Sequence, residues 1–221
     1  HIMRKYLAGF AMIGLAVGLY AFGHTSVQSV NKKKAVEKTE YQTGDIIYQS
    51  SNSGQSKAIK LATHSKYSHV GMIYILKGEV MVFEAVQPVR LTPFVEFIGR
   101  GTNKNYVVSR LKNADEILTA EVVKRMESQI DVHLGKSYDI HFDWSDDKMY
   151  CSELVWKIYK ECANIEVGGL KPLKEYDLTH PVVKRTMEER YGRNIPYNEP
   201  MISPGAIFES ELFRVIEDTE C

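Results

Sequence analysis

Cys151 stands where an acidic, polar run (Ser145-Asp146-Asp147-Lys148) gives way to apolar residues at helical spacing, namely Leu154, Val155, Ile158, Tyr159 and Cys162. The cysteine is therefore expected in a first helical turn. The unpaired N–H groups and positive dipole end of such a turn favour a thiolate, the nucleophilic form of cysteine. A nucleophilic cysteine needs a base to take its proton, and the base needs a third group to fix its tautomer. His69 lies in Ser68-His69-Val70-Gly71 and Glu84 in Phe83-Glu84-Ala85-Val86, two β-rich runs. Together the three supply nucleophile, base and orienter. Each also has a plain structural alternative. Cysteine is a common small buried residue, a strand histidine can be a satisfied structural group, and an acid at a strand end can reach solvent.

The elements that must position these residues are legible in outline. Tyr67 to Ile75 reads as one strand and Val80 to Val86 as the next, with Lys77-Gly78-Glu79 supplying hairpin turn chemistry between them. A turn there sets residues 69–71 roughly opposite 84–86. Strand alternation puts His69 and Gly71 on one face and Val70 and Met72 on the other, so His69 and Glu84 become cross-strand neighbours. Ile46-Ile47-Tyr48, following Thr43-Gly44-Asp45, and Tyr106 to Leu111 read as further strands. Ala58, Ile59, Leu61 and Ala62 suggest a short helix after a polar loop from Ser50 to Gln55. Asp115 to Leu134 keeps helical spacing as one helix, stopped at Gly135. Residues 164–205 read as irregular, broken by Gly168-Gly169 and by Pro172, Pro181, Pro196, Pro200 and Pro204, with one helix over Val182 to Tyr191. Strands precede helices, which predicts an α+β domain with an antiparallel sheet.

Composition narrows the function classes. A chain of 221 residues suits one domain with a substantial core, placed at residues 43–221. Twenty-eight basic and 28 acidic residues cancel, and no basic stripe exists beyond Lys32 to Lys34, which argues against a nucleic-acid partner. The three cysteines, Cys151, Cys162 and Cys221, cannot close a disulfide framework. Cys151 and Cys162 sit about three turns apart on one helix, beyond bridging distance. There is no Cys-x-x-Cys, no His-Glu-x-x-His and no glycine-rich phosphate loop, so neither a metal site nor a cofactor is expected. His1-Ile2 ahead of Met3 reads as a cloning remnant. Arg4-Lys5 then leads an uncharged apolar run from Tyr6 to Thr25, the pattern of a secretory signal, with Ala21-Phe22-Gly23 as small residues near its end. A retained membrane anchor through residues 6–25 is the competing reading. Residues 26–42 read as a polar linker. The expected location is extracytoplasmic or periplasmic, free or membrane-anchored.

Several of these motifs together resemble a known family. Gly44-Asp45-Ile46-Ile47, Ser68-His69-Val70-Gly71 and Leu134-Gly135-x-x-Tyr138, leading to Cys151-Ser152-x-Leu154-Val155, resemble the NlpC-type papain-like cysteine peptidases. In ordinary members the cysteine helix precedes the Gly-Asp and Ser-His strands. Here the order is reversed, as in the circularly permuted, YiiX-like branch. The resemblance spans roughly residues 43–208 and includes Ser56-Lys57-Ala58-Ile59, Phe83-Glu84-Ala85-Val86 and Ser203-Pro204. It implies a permuted papain-like fold in which an antiparallel sheet packs against helices, the nucleophile helix among them. It further implies a thiol hydrolase with Cys151 as nucleophile, His69 as general base and then acid, and Glu84 as orienting residue. Tyr138 matches a tyrosine upstream of the cysteine in ordinary members, where it would contact substrate; a half-buried core tyrosine is the alternative. The reaction implied is cleavage of an amide, with a small peptide or peptidoglycan fragment as substrate. Two further readings stay open: the same thiol chemistry on a lipid, as acyltransferase or phospholipase, and a non-catalytic binding module on the same scaffold.

Overall fold

Ile46–Gln49 (β1) is buried along its whole length, because both of its faces are covered. The structure, a computed structural model, describes residues 40–220; the apolar run 6–25, most of the 26–42 linker and Cys221 lie outside the described residues. After β1 the chain forms Gly54–Thr63 (α1), His69–Leu76 (β2), Glu79–Glu84 (β3), Arg90–Pro93 (β4) and Phe94–Gly99 (α2). It continues through Val107–Leu111 (β5), Ala114–Ile117 (α3), Ala120–His133 (α4), Ser137–Tyr138 (β6), Lys148–Met149 (β7) and Cys151–Ala163 (α5). Lys171–Pro172 (β8), Pro181–Tyr191 (α6), Pro200–Met201 (β9), Pro204–Phe208 (α7) and Phe213–Asp218 (β10) complete it.

The main sheet has the order β10-β5-β1-β2-β3-β4, and every neighbouring pair is antiparallel. One face carries Ile46, Tyr48, Val70, Met72 and Phe83, which pack with the apolar side of α4 and with α5 and α7 in the larger core. The opposite face carries Ile47, Ile73, Val82 and Val108, closed by Phe97 of α2. Helix α5 is the centre of the larger layer. Leu154, Val155, Ile158 and Tyr159 have no exposure, and Cys162 is also buried. The helix is buried on nearly every side, as a core helix must be. One polar tie fixes this helix to the sheet and a second braces the sheet itself. The Tyr159 hydroxyl donates to the Gly44 carbonyl oxygen. Buried Asp45 takes a bidentate pair from Arg110, with Nε and Nη2 each 2.7 Å from a carboxylate oxygen. The Gly-Asp motif thus serves the core.

The β2–β3 hairpin turns at Lys77-Gly78, both at positive φ (52° and 85°), as a two-residue turn matched to strand twist requires. Its ladder runs from Leu76↔Glu79 to Met72↔Phe83. Continuing that register sets Gly71 across from Glu84, with His69 diagonal to it. The α+β expectation therefore stands, with three local corrections. The segment 115–134 is two helices, because Thr119 leaves helical geometry and caps α4, its side chain accepting from the Val122 N–H. Helix α1 starts earlier than its apolar residues suggest, at Gly54, since Ser53 caps it through the Ser56 N–H. Strands β4 and β10 and helix α2 are additions to the elements read from sequence.

Gly71 is a close-packed point of the hairpin. A Cβ built there would lie 2.5 Å from Val82 Cγ1 and 3.2 Å from the Phe83 carbonyl oxygen. Gly71→Ala is expected to cost about 1–3 kcal/mol by overpacking. Urea denaturation measures it, and an unchanged midpoint would show that the hairpin yields at this position.

Candidate active site

Cys151 is the first residue of α5, held there by two local signals. Tyr150 keeps extended backbone geometry as the N-cap, and its N–H is accepted by the Glu153 carboxylate at 3.3 Å. Short strand β7 pairs with β6 immediately before, so the segment 137–151 arrives at the helix in a defined direction. The N–H groups of the first helical turn have no intrahelical acceptor and point outward past Cys151.

His69 is the first residue of β2, paired with Gln49 of β1. Its imidazole stacks on Phe97 with centroids 5.6 Å apart and 27° between planes. Nε2 lies 2.6 Å from Glu84 Oε2, with the histidine side chain 18% exposed and the glutamate 0%. That contact occupies Nε2 and leaves Nδ1 as the nitrogen available to a thiol. Burial works against a charge on His69, yet hydrogen bonding to Cys151 and Glu84 and their negative charge outweigh it, and its pKa is pushed up to about 9. The two strands and the helix thus bring Cys151, His69 and Glu84 close together.

Glu84 is held from its other side as well. Thr92 Oγ1 of β4 donates to Glu84 Oε1 at 2.5 Å, and Arg100 Nη2, just past the end of α2, donates to the same oxygen. Burial alone would raise the Glu84 pKa, but the His69 hydrogen bond and charge, the Thr92 hydrogen bond and the Arg100 charge together lower it. Glu84 is thereby kept anionic in a place without water. Arg100 also lies over the Phe97 ring, 5.6 Å from its centroid. None of Thr92, Phe97 or Arg100 was apparent in the sequence. The six-residue α2 is too short for periodicity to reveal, and Arg100 reaches Glu84 only through the tertiary fold.

Tyr138, from β6, lines a pocket that Cys151 also lines. Its hydroxyl accepts from Gln55 Nε2 at 2.8 Å, and its ring meets Phe142 edge-on. Burial and the nearby Cys151 raise its pKa, so the phenol stays neutral. Tyr138 packs against the core and lines the pocket. Gln55 was missed because the sequence placed it in a loop; Ser53 and Ser56 were the available signs of a cap. Cys162 lies far down the same helix, buried, and burial pushes its thiol up to about 11.

Comparison with known proteins agrees with this fold. Residues 40–211 match the family profile described as permuted papain-like amidase enzyme, YaeF/YiiX, C92 family. The chain belongs to the C92 family of permuted papain-like amidases. It is 47% identical over 175 residues to the uncharacterized protein YiiX of Escherichia coli K12, covering 79% of this chain and 85% of that one. It is also similar to the crystal structure described as metalloprotein yiiX from Escherichia coli O157:H7, with TM-score 0.76 and 45% identity. That match covers 80% of this chain and 97% of the other. Family membership makes the chain a papain-like cysteine hydrolase of the amidase type.

The raised pKa of His69 has a defined sign. The imidazolium persists below about 9 and is lost as pH rises through that value. Amide hydrolysis that uses His69 as proton donor to the leaving amine should therefore fall on the alkaline side near pH 9. A kcat/KM profile measured from pH 5 to 10.5 checks this; an alkaline limb near 6.5, the unperturbed histidine value, would contradict it.

Proposed function

We propose that the chain is an exported thiol amidase with Cys151, His69 and Glu84 as its reacting and orienting groups. The observation that carries this reading is the 2.6 Å contact between His69 Nε2 and a fully buried Glu84, with Cys151 near enough to raise the His69 pKa. In the first step Cys151 Sγ attacks the amide carbonyl carbon while its proton resides on His69 Nδ1. The N–H of Cys151, unpartnered within the helix, faces the developing oxyanion, a large term in acyl transfer. The tetrahedral species then collapses: the C–N bond breaks, His69 gives its proton to the departing amine, and a thioester on Cys151 remains. Water attacks the thioester with His69 as base, and the carboxylic acid leaves. Glu84 keeps its charge throughout and holds the ring in one tautomer, while Thr92 and Arg100 hold Glu84.

Export rests on the apolar run at 6–25 behind Arg4-Lys5, and cell fractionation reads it. Export and the family resemblance point to peptide stems of the cell wall as acyl donor, with a lipid acyl group as the rival; the steps above are common to both. The solved relative is described as a metalloprotein. In this chain Asp139, His141 and Asp143 bring one potential ligand atom each to within 4.8 Å of one another. The two carboxylate oxygens of Asp139, however, each accept a backbone N–H at 2.8 Å, from His141 and Asp143. This is a braced turn rather than an open ligand set.

Cys151→Ala should abolish turnover of any amide the wild type cleaves. His69→Ala should lower kcat/KM by about 10²–10⁴, and Glu84→Gln should lower it by less while leaving Cys151 in place. A trapped thioester, seen by intact-protein mass spectrometry in wild type and absent from Cys151→Ala, completes the test. Retained hydrolysis in Cys151→Ala would refute the assignment.

A further inference from the structure

Glu153 is a fully buried carboxylate that the proposed reaction does not use, and it stands two residues past Cys151 in the first turn of α5. Burying an ion is costly unless partners are fixed around it. Here Oε2 accepts the Tyr150 N–H at 3.3 Å, while the Lys157 ammonium, one turn along the helix, lies 2.8 Å from Oε1. Lys157 is nearly as buried, and its remaining N–H groups go to the loop between β6 and β7. Nζ donates to the Ser145 carbonyl oxygen at 2.5 Å and to Asp146 Oδ1 at 2.8 Å. It also lies over the Trp144 ring, 5.1 Å from the centroid. Lys136, just past α4, holds the same loop by donating to the Asp146 carbonyl oxygen at 2.6 Å.

The chain enters α5 from this loop through β7 and Tyr150. One carboxylate–ammonium pair therefore grips that entry at two points, the Tyr150 backbone and the loop at Ser145 and Asp146. We propose that Glu153, as the carboxylate paired with Lys157, is a positioning residue that holds the first turn of α5, and with it Cys151, in place. This role rests on Cys151 being the reacting thiol proposed above.

The grip depends on charge, and that charge changes in the neutral range. Burial pushes the Glu153 carboxyl up, Lys157 and the Tyr150 N–H pull it back, and the balance stands at about 7. Asp139, beyond β6, faces the pair and disfavours a second anion. Asp146 faces it from the loop, and His133 and Lys136 from the end of α4. Burial and the two neighbouring ammonium groups push His133 down to about 4, so it is neutral throughout this range. The other elements packed on α5, namely β2, β3 and α7, present apolar side chains such as Val70, Met72, Phe83 and Ile207. Above about 7 the ion pair is complete. Below it Glu153 takes a proton, and Lys157 keeps only Asp146 and the Ser145 carbonyl oxygen.

The test is the rate of Cys151 labelling by iodoacetamide in the full chain, read by mass spectrometry across the neutral range. Wild type is compared with Glu153→Gln, an isostere that keeps an acceptor for the Tyr150 N–H and cannot ionise. The ratio of the two rates cancels the titration of the thiol itself. It should be about one in mild acid and rise through a midpoint near 7 to about fivefold in mild base, the difference between a charge-assisted and a neutral hydrogen bond. Lys157→Met removes the partner that holds the carboxyl down, so its ratio against Glu153→Gln should rise only at higher pH. A variant that is merely loosened changes the rate equally at every pH, so a flat ratio of any height would overturn the role. A ratio below one in mild base would do so too, since the carboxylate would then act only as a charge against the thiolate. Failure of the thiol reading is distinct: wild-type labelling would rise only near the free-thiol value of roughly 8.5, while a stepped ratio would still support Glu153.

Discussion

A carboxylate with no solvent exposure can remain charged only if donors and positive charge surround it, and Glu84 is such a group. Its donors come from three different elements: His69 at the start of β2, Thr92 in β4 and Arg100 just beyond α2. Satisfying one side chain thereby fixes the hairpin β2–β3, the edge strand and the short helix against one another. Phe97 adds the packing surface on which the His69 ring lies flat. The histidine is restrained by a strand, a ring and a carboxylate together, which is the preorganisation that proton transfer at a defined atom requires.

Cys151, the proposed nucleophile, is fixed by a different part of the fold. Cys151 heads the most buried helix, tied to the sheet through Tyr159 and Gly44 while Asp45 and Arg110 brace the strand edge beside it. Cys151 and His69 thus stand at the ends of two rigid elements, as the first residue of α5 and the first residue of β2. Nothing in this arrangement depends on which element the chain makes first. A sheet followed by its helix presents the same ends as a helix followed by its sheet, so the permuted order leaves the geometry of the site intact. The added C-terminal segment then supplies α6, which packs on α1 and walls the pocket at the thiol.

How much of this was legible in sequence depends on whether the signal was local. The Lys77-Gly78 turn and strict alternation set the register that puts His69 near Glu84, because two-residue turns leave no freedom in pairing. The cysteine helix was legible from its apolar spacing and the polar run before it. The break at Thr119 was hidden because Ile117, Leu118 and Val122 continue the apolar pattern across it. Strand β10 was hidden by its bulge between Val215 and Glu217, which interrupts the alternation, and by an exposed Val215 on the sheet edge. Thr92, Arg100 and Gln55 were illegible because their partners lie on other elements, and nothing in their own neighbourhoods marks them.

The central claim is that Cys151 and His69 act as a coupled pair held by Glu84. Iodoacetamide alkylation of Cys151, followed by mass spectrometry from pH 5 to 10 in wild type, His69→Ala and Glu84→Gln, tests it most directly. The account predicts rapid labelling at pH 6, far below the free-thiol pKa of roughly 8.5. It also predicts loss of that labelling in His69→Ala and intermediate behaviour in Glu84→Gln. Labelling that rises only near pH 8.5, with the same profile in all three proteins, would contradict it and leave an ordinary buried cysteine at the head of a helix.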